Sequence, residues 1–342
     1  MQFLPDSGTV PATRLRRAAP VPGRPDSAPT SDLVPQLLAD VQDEVRRVVV
    51  GQDGVVGLLL GALLVSGHVL LEGVPGVAKT LMAQAFSRTL ELSFSRVQFT
   101  PDMLPSDLTG TVVLRRGELT FAPGPVFANV LLGDEINRTP PKTQSALLEA
   151  MQEGQVTVDG VSHPLPDPFF VLATQNPLEY EGTYPLPEAQ LDRFHMRATV
   201  GYPSYDDEIA LLRLAHRGVA PVTLDDVRAV ADGDVLAAAQ DVVEDTRVDD
   251  AVAAYVVQVV RSTRDVPGVQ VGASPRAAVH LLAAGKAGAR MNGRDFVTPD
   301  DIAAAVPPVL AHRMVLTPEA ELERLSPLAA LQQALARVPV PR

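Results

Sequence analysis

The sequence predicts an α/β fold: an α/β/α sandwich on a parallel five-stranded sheet, followed by a small all-α domain. Three observations carry that expectation. Short apolar runs recur at His68–Glu72, Phe94–Phe99, Val126–Leu132, Phe169–Ala173 and Met196–Val200, with helical stretches or long connections between them. Continuous rather than alternating runs mark strands covered on both faces, as in a parallel sheet between helix layers. After Tyr202-Pro203 these runs give way to Ala-, Leu- and Val-rich segments. Their starts, Ser274-Pro275 and Thr298-Pro299-Asp300, pair a capping hydroxyl with Pro at the first helical position. The length, 342 residues, leaves room for two domains of about 150 residues each.

Along the chain, residues 1–30 hold four Arg and six Pro without hydrophobic periodicity and read as a flexible arm. Leu33, Leu37, Leu38, Val41 and Val45 recur at helical spacing and open a core domain over 31–202. Gly54–Leu71 is an uncharged stretch of eighteen residues, long enough to raise the question of a membrane span. Ser66-Gly67-His68 breaks it, and Gly57 and Gly61 weaken it, so it divides into an amphipathic helix from Asp53 to Val65 and the strand His68–Glu72. Two hairpins interrupt the sheet pattern. In Gly110–Pro123, Val112 and Leu114 alternate before Arg116-Gly117, and Leu119 and Phe121 after it. In Gln155–Leu165, Val156, Val158 and Val161 flank the turn signal Asp159-Gly160. The all-α domain occupies 203–317, with Tyr202-Pro203 as hinge, and a C-terminal helix or tail fills 318–342.

Composition excludes several classes. Cysteine is absent, which removes disulfides, thiolate zinc sites, Fe–S clusters and cysteine nucleophiles. Lys plus Arg total 29 against 41 Asp plus Glu, and a net charge of -12 argues against non-specific binding to nucleic acid or anionic membrane. The run Leu224–Asp250 carries nine acids against two Arg and reads as a solvated face. Residues 1–30 lack the continuous apolar segment of a secretory signal, so the chain reads as cytoplasmic without membrane insertion. His195, His280 and His312 show no metal-ligand spacing and read as structural.

Chemistry concentrates in two places. The strand His68–Glu72 runs into Gly73-Val74-Pro75-Gly76-Val77-Ala78-Lys79-Thr80 and then a helix beginning at Leu81. Strand, small-residue loop and helix make a phosphate-binding loop, whose backbone N–H groups and helix N-terminus favour anions. Lys79 is placed to reach the β- and γ-phosphates of ATP, and the Thr80 hydroxyl to bind Mg²⁺. Downstream, the apolar strand Val130-Leu131-Leu132 ends in Gly133-Asp134-Glu135. Asp134 would hold Mg²⁺, directly or through water, and Glu135 would polarise the attacking water. Two acids closing a strand are often only a solvated turn; their position after such a loop argues for the metal and water roles.

These segments, with Asp134-Glu135-Ile136-Asn137-Arg138, Ala173-Thr174-Gln175-Asn176-Pro177 and Leu191-Asp192-Arg193-Phe194, together resemble the MoxR family of AAA+ ATPases over about residues 32–317. The resemblance implies an AAA+ P-loop domain with a helical lid. It accounts for Ala78 where Gly is usual before the Lys, while Gly133 stands where a bulkier residue is expected. It implies that Asn176 is sensor 1, orienting water and the γ-phosphate, that Arg193 is the arginine finger offered to a neighbouring subunit, and that Arg276 is sensor 2. A cation in the first turn of a helix opposes the macrodipole, which independently suggests that Arg276 serves a phosphate. Val50-Gly51-Gln52 resembles the segment that contacts adenine, and the two hairpins resemble the helix-2 insert and pre-sensor-1 hairpin that face the ring pore.

The activity implied is Mg²⁺-dependent ATP hydrolysis, with ADP as product, in a ring expected to be a hexamer. The role implied is chaperone-like: remodelling or activating a client protein, often one bearing a von Willebrand factor A domain, or aiding metal-cofactor insertion. Three rival readings stand beside it: a magnesium-chelatase-like subunit, a nucleic-acid-directed motor, and a nucleotide-dependent binding module with little hydrolysis.

Overall fold

A computed structural model describes residues 32–73, 76–175, 183–215 and 223–341 of the chain. The arm over 1–30 therefore lies outside the described residues. Helices α1 (Leu33–Val45) and α2 (Asp53–Leu64) precede the sheet. The strands β1 (Val69–Gly73) and β2 (Phe94–Gln98) flank helix α3 (Lys79–Thr89). A short helix α4 (Pro105–Thr109) leads into the antiparallel hairpin of β3 (Gly110–Arg115) and β4 (Glu118–Pro123). Then come β5 (Val130–Asp134), α5 (Pro141–Glu153), and a second hairpin of β6 (Gln155–Val158) and β7 (Val161–Pro164). The strand β8 (Phe170–Gln175), helix α6 (Glu188–Leu191) and strand β9 (Met196–Val200) complete the core.

The five long strands form one parallel sheet in the order β2-β5-β8-β1-β9. Successive residues of a strand face opposite layers. Val69 and Leu71, Val130 and Leu132, and Phe170 and Leu172 thus join a core containing α1, α2 and α3. Leu70, Leu131, Val171 and Ala173 face the other way, onto Leu147, Leu148 and Met151 of α5. Helix α2 departs from the amphipathic expectation. It is buried from Leu59 through Leu64, because α1, β9 and later helices surround it.

The helical part comprises α7 (Tyr205–Ala215), α8 (Gly233–Glu244), α9 (Asp250–Ser262), α10 (Pro275–Met291) and α11 (Pro299–Leu310). A small antiparallel pair, β10 (Val269–Val271) with β11 (Val315–Leu316), sits among them, and α12 (Pro318–Leu322) and α13 (Pro327–Ala336) follow. Helix α13 packs against α9 and α11, and α10 packs against α1 and α2. Leu281, Val306 and Leu331 therefore share one continuous core with Leu59 and Val69. The acids of the run Leu224–Asp250 are exposed, and among them Asp232 caps α8 and Asp249 caps α9 by accepting backbone N–H groups. Among the described residues no helix is long and apolar enough to cross a membrane.

Candidate nucleotide-binding site

The expected phosphate loop leaves the sheet at Gly73 and enters α3 at Lys79, at the carboxyl ends of the parallel strands where such sheets bind ligands. The Lys79 ammonium donates to the Gly73 carbonyl at 2.9 Å, closing the loop on itself. Burial pulls that ammonium below the ordinary lysine range, and Asp134 and Glu135 act to hold it up. Gly76 and Ala78 are exposed, Val77 is buried, and Thr80 and Leu81 are half-buried in the first turn of α3. Ala78 is left-handed, at φ 58° and ψ 25°, a conformation that suits glycine and tolerates little beyond a methyl group. Val74, Pro75 and the expected sensor-1 residue Asn176 lie outside the described residues.

Asp134 and Glu135 close β5 beside this loop, and each carboxylate has two polar partners. Asp134 is buried; its Oδ2 accepts from Arg96 Nε at 2.7 Å and its Oδ1 from the Thr174 hydroxyl at 3.2 Å. Glu135 is left-handed at φ 59° and ψ 50°, held there by its own N–H donating to Thr174 Oγ1 at 3.0 Å. Its Oε2 accepts from Gln98 Nε2 and from Arg138 Nε, both at 2.9 Å. The departure at Gly133 has a steric reason: a Cβ there would approach Phe99 Cε2 to 2.7 Å. Thr80 and Asp134 offer only oxygen donors, and among the described residues no cluster of three or more His, Cys, Asp or Glu could hold a metal. That set suits Mg²⁺, which takes one or two protein oxygens and fills its remaining positions with water and phosphate.

Gly51 and Gln52 stand where the sheet's last strand turns towards the helical part. Gln52 is buried and donates to the Gly201 carbonyl at 3.4 Å. Gly51 has φ +75°, and a Cβ on it would come within 2.6 Å of the Asp207 carboxylate, which accepts from the Ser204 hydroxyl at 2.6 Å. The expected adenine segment thus abuts the turn into α7.

The two remaining arginines lie elsewhere. Arg193 precedes β9, whose Met196 is in register with Val69 at the start of β1. The phosphate loop begins at the far end of β1, some five strand residues or ~16 Å away. Arg276 lies exposed in the first turn of α10, and Ser274, which caps that helix, donates to Asp192 Oδ2 at 3.2 Å. Arg193 and Arg276 therefore share one side of the molecule, remote from Lys79. Asp192, the chain neighbour of Arg193, pairs with Arg313 at 2.7 Å.

Comparison with known proteins identifies the family. The ATPase family associated with various cellular activities (AAA) matches residues 68–196, and the AAA lid domain matches 261–334. The chain is 49% identical to YeaC of Bacillus subtilis over 91% of this chain and 96% of that protein. It is 46% identical to the chaperone MoxR1 of Mycobacterium tuberculosis, over 87% of this chain and 81% of that one. The chain belongs to the MoxR family of AAA+ ATPases. A crystal structure of a provisionally assigned ATPase from Cytophaga hutchinsonii superposes with a TM-score of 0.85 at 39% identity, covering 92% of this chain and 97% of that one. Membership in the MoxR family brings nucleotide binding with it.

In this MoxR-family chain Arg96, Gln98 and Thr174 around the candidate loop, and Arg313 beside Arg193, carry contacts that the sequence alone does not single out. Arg96 and Gln98 recur two apart on β2, a polar alternation in Phe94-Ser95-Arg96-Val97-Gln98 that signals one solvated strand face. Thr174 sits inside a quoted motif, but its role depends on β8 lying between β1 and β5.

Proposed function

We propose that this chain hydrolyses ATP with Mg²⁺ in a ring, expected to be a hexamer, and uses the cycle to remodel or activate a client protein. The observation that carries the reading is the separation of Arg193 from Lys79 by the length of β1. A hydrolysis site assembled from both ends of the strands requires a second subunit, as head-to-tail rings provide. Within one subunit, Lys79 and the N–H groups opening α3 would bind the β- and γ-phosphates. Thr80 and Asp134 would hold Mg²⁺, which when bound neutralises charge developing on the phosphates. Glu135 would take a proton from the attacking water once its Oε2 is released by Gln98 and Arg138. Thr174 would hold the Asp134 carboxylate and the Glu135 backbone in place meanwhile. From the next subunit, Arg193, with Arg276 beside it, would meet the γ-phosphate. Asn176 would complete the site as sensor 1, and Gly51 and Gln52 would receive the adenine.

The chaperone name of the Mycobacterium tuberculosis relative supports a client protein as partner. A client with a von Willebrand factor A domain and a cytoplasmic location extend that reading. The exposed hairpin leucines, Leu114 and Leu119, support a role in gripping it. The nucleic-acid alternative has only the family's breadth behind it and meets a net charge of -12.

The test mixes two inactive variants. Lys79→Ala loses phosphate binding and Arg193→Ala keeps it, so each is expected to be dead alone. At equal mixing, about one quarter of interfaces join an intact loop to an intact Arg193, and turnover should recover towards that fraction. No recovery at any ratio, with mixed oligomers demonstrated, would sink the shared site.

A further inference from the structure

The segment carrying Arg193 is held by a buried guanidinium from the helical part of the chain. Arg313 closes the short turn after α11, and its side chain is 2% exposed. Its Nε donates to Asp192 Oδ1 at 2.7 Å, and its Nη2 to the Asp192 and Phe194 carbonyls at 3.1 and 2.7 Å. Its Nη1 donates to the His195 carbonyl at 3.3 Å and also to the Val309 carbonyl. Arg313 thus grips the backbone on both sides of Arg193, while Arg193 itself has no ion-pair partner among the described residues.

The same guanidinium reaches α10. Nη2, sharing its two hydrogens among three acceptors, also reaches His280 Nδ1 at 2.7 Å, which places the proton of the neutral ring on Nε2. His280 stacks on His195 at a centroid distance of 4.3 Å, and His195 Nε2 bonds the His280 carbonyl at 3.1 Å. His312 Nε2 bonds the Phe194 carbonyl at 3.1 Å. The Asp192 carboxylate is shared between Arg313 and Ser274, two residues before Arg276. Burying a charge is expensive, and an apolar residue would fill this space more cheaply if packing were all that was needed. What an apolar residue lacks is a planar fork of donors that satisfies several strandless carbonyls at once.

We propose that Arg313, through Asp192, is the positioning residue of the arginine face: it fixes the 192–195 segment to the N-terminus of α10, so that Arg193 and Arg276 are presented to the neighbouring nucleotide as one rigid unit. This rests on the reading of Arg193 as a finger acting in trans. Arg313 touches no nucleotide, so its loss leaves the subunit's own phosphate loop intact and impairs only the site next door.

Complementation separates that role from general damage. Arg313→Gln alone should lose about 10²-fold or more in turnover, part of the roughly 10³–10⁵ that a finger in trans supplies, with the ATP Kd within about twofold. Mixed with Lys79→Ala, which keeps its finger, it should recover towards one quarter of wild-type turnover, as the paired interfaces allow. Mixed with Arg193→Ala it should stay inactive, since neither partner presents a positioned finger. If Arg313→Gln is not recovered folded, Asp192→Asn, which keeps the side-chain volume, is put through the same mixtures. Recovery with both partners, with neither, or wild-type turnover in the single variant each overturns the proposal. The Lys79→Ala and Arg193→Ala mixture serves as control: if that pair also fails to recover, the shared site is wrong, and not the clamp alone.

Discussion

Glu135 and Ala78 both sit in left-handed backbone, which costs a residue with a Cβ about 1 kcal/mol or more. Such strain persists only where the surroundings over-determine it. For Glu135 that support is Thr174, whose hydroxyl accepts the Glu135 N–H and donates to Asp134. Thr174→Val keeps the shape and removes both bonds. Turnover is expected to fall about tenfold, the worth of roughly one net hydrogen bond, with the ATP Kd within about twofold. Steady-state kinetics and calorimetry check this, and undiminished turnover would show that Glu135 keeps its place unaided. Lys79, Asp134 and Glu135 were readable because each is announced by chain neighbours: a small-residue loop, or the end of an apolar run. Thr174, Arg96 and Gln98 become partners of those acids only through the strand order β2-β5-β8-β1-β9, which periodicity does not encode.

Strands and hairpins followed the sequence closely because their signals are local. Met196–Val200 and the Gly110–Pro123 hairpin fall where the alternation and turn residues put them, whereas the run Val126–Leu132 becomes a strand only from Val130. Helix α2 did not, since its wrapping by distant segments overrides the amphipathic pattern. Helix α11 shows how much one element can rest on a single side chain. Asp301 accepts from the Thr298 N–H at 2.8 Å and from both Arg294 Nη groups, at 2.7 and 2.6 Å, while its side chain is 4% exposed. Burial would raise its pKa, but the bonds from Arg294 and Thr298 outweigh burial and lower it. The stabilisation is thus present above the ordinary aspartate range and lost as pH falls through the lowered value. Asp301→Ala removes the cap and strands Arg294, at a cost of roughly 3 kcal/mol. The melting temperature should drop by roughly 5–10 °C. A fall of under a degree would mean that α11 needs no such anchor.

Across the molecule, buried histidines set the acid limit. His68 is pushed down to about 4 by burial, against a bond to the Met151 carbonyl. His195 falls to about 3 and His280 to about 4, burial again leading, with the charge of Arg313 adding to it. In the unfolded chain these rings titrate near 6.5, so between about pH 6.5 and 4 the unfolded state binds the extra protons. Stability should therefore hold above pH 7 and decline steadily on acidification through that window. His68 alone contributes roughly 3 kcal/mol of this at its lower end. Urea midpoints at pH 7, 5.5 and 4.5 test it; a midpoint that stays level to pH 5 would contradict neutral buried rings. The domain order was readable from the chain, whereas this cluster was not. His68 and His195 meet on neighbouring strands, and His280 and His312 join them only when the helical part docks on the sheet.

That docking has a cost in time during synthesis. Gly61 of α2 lies against Met291 of α10, with only 3.2 Å between a Cβ built there and the methionine methyl. Some 230 residues separate the two in the chain. At translation rates of about 5–20 residues per second, the apolar α2 waits roughly 10–45 s for that part of its cover. Among the described residues α1 is the one neighbour made before α2, and β9 and α8 follow before α10 completes the cover. This protein is therefore expected to depend on holding factors at the ribosome far more than its folded surface suggests. Slowing its translation should increase aggregation of the nascent chain.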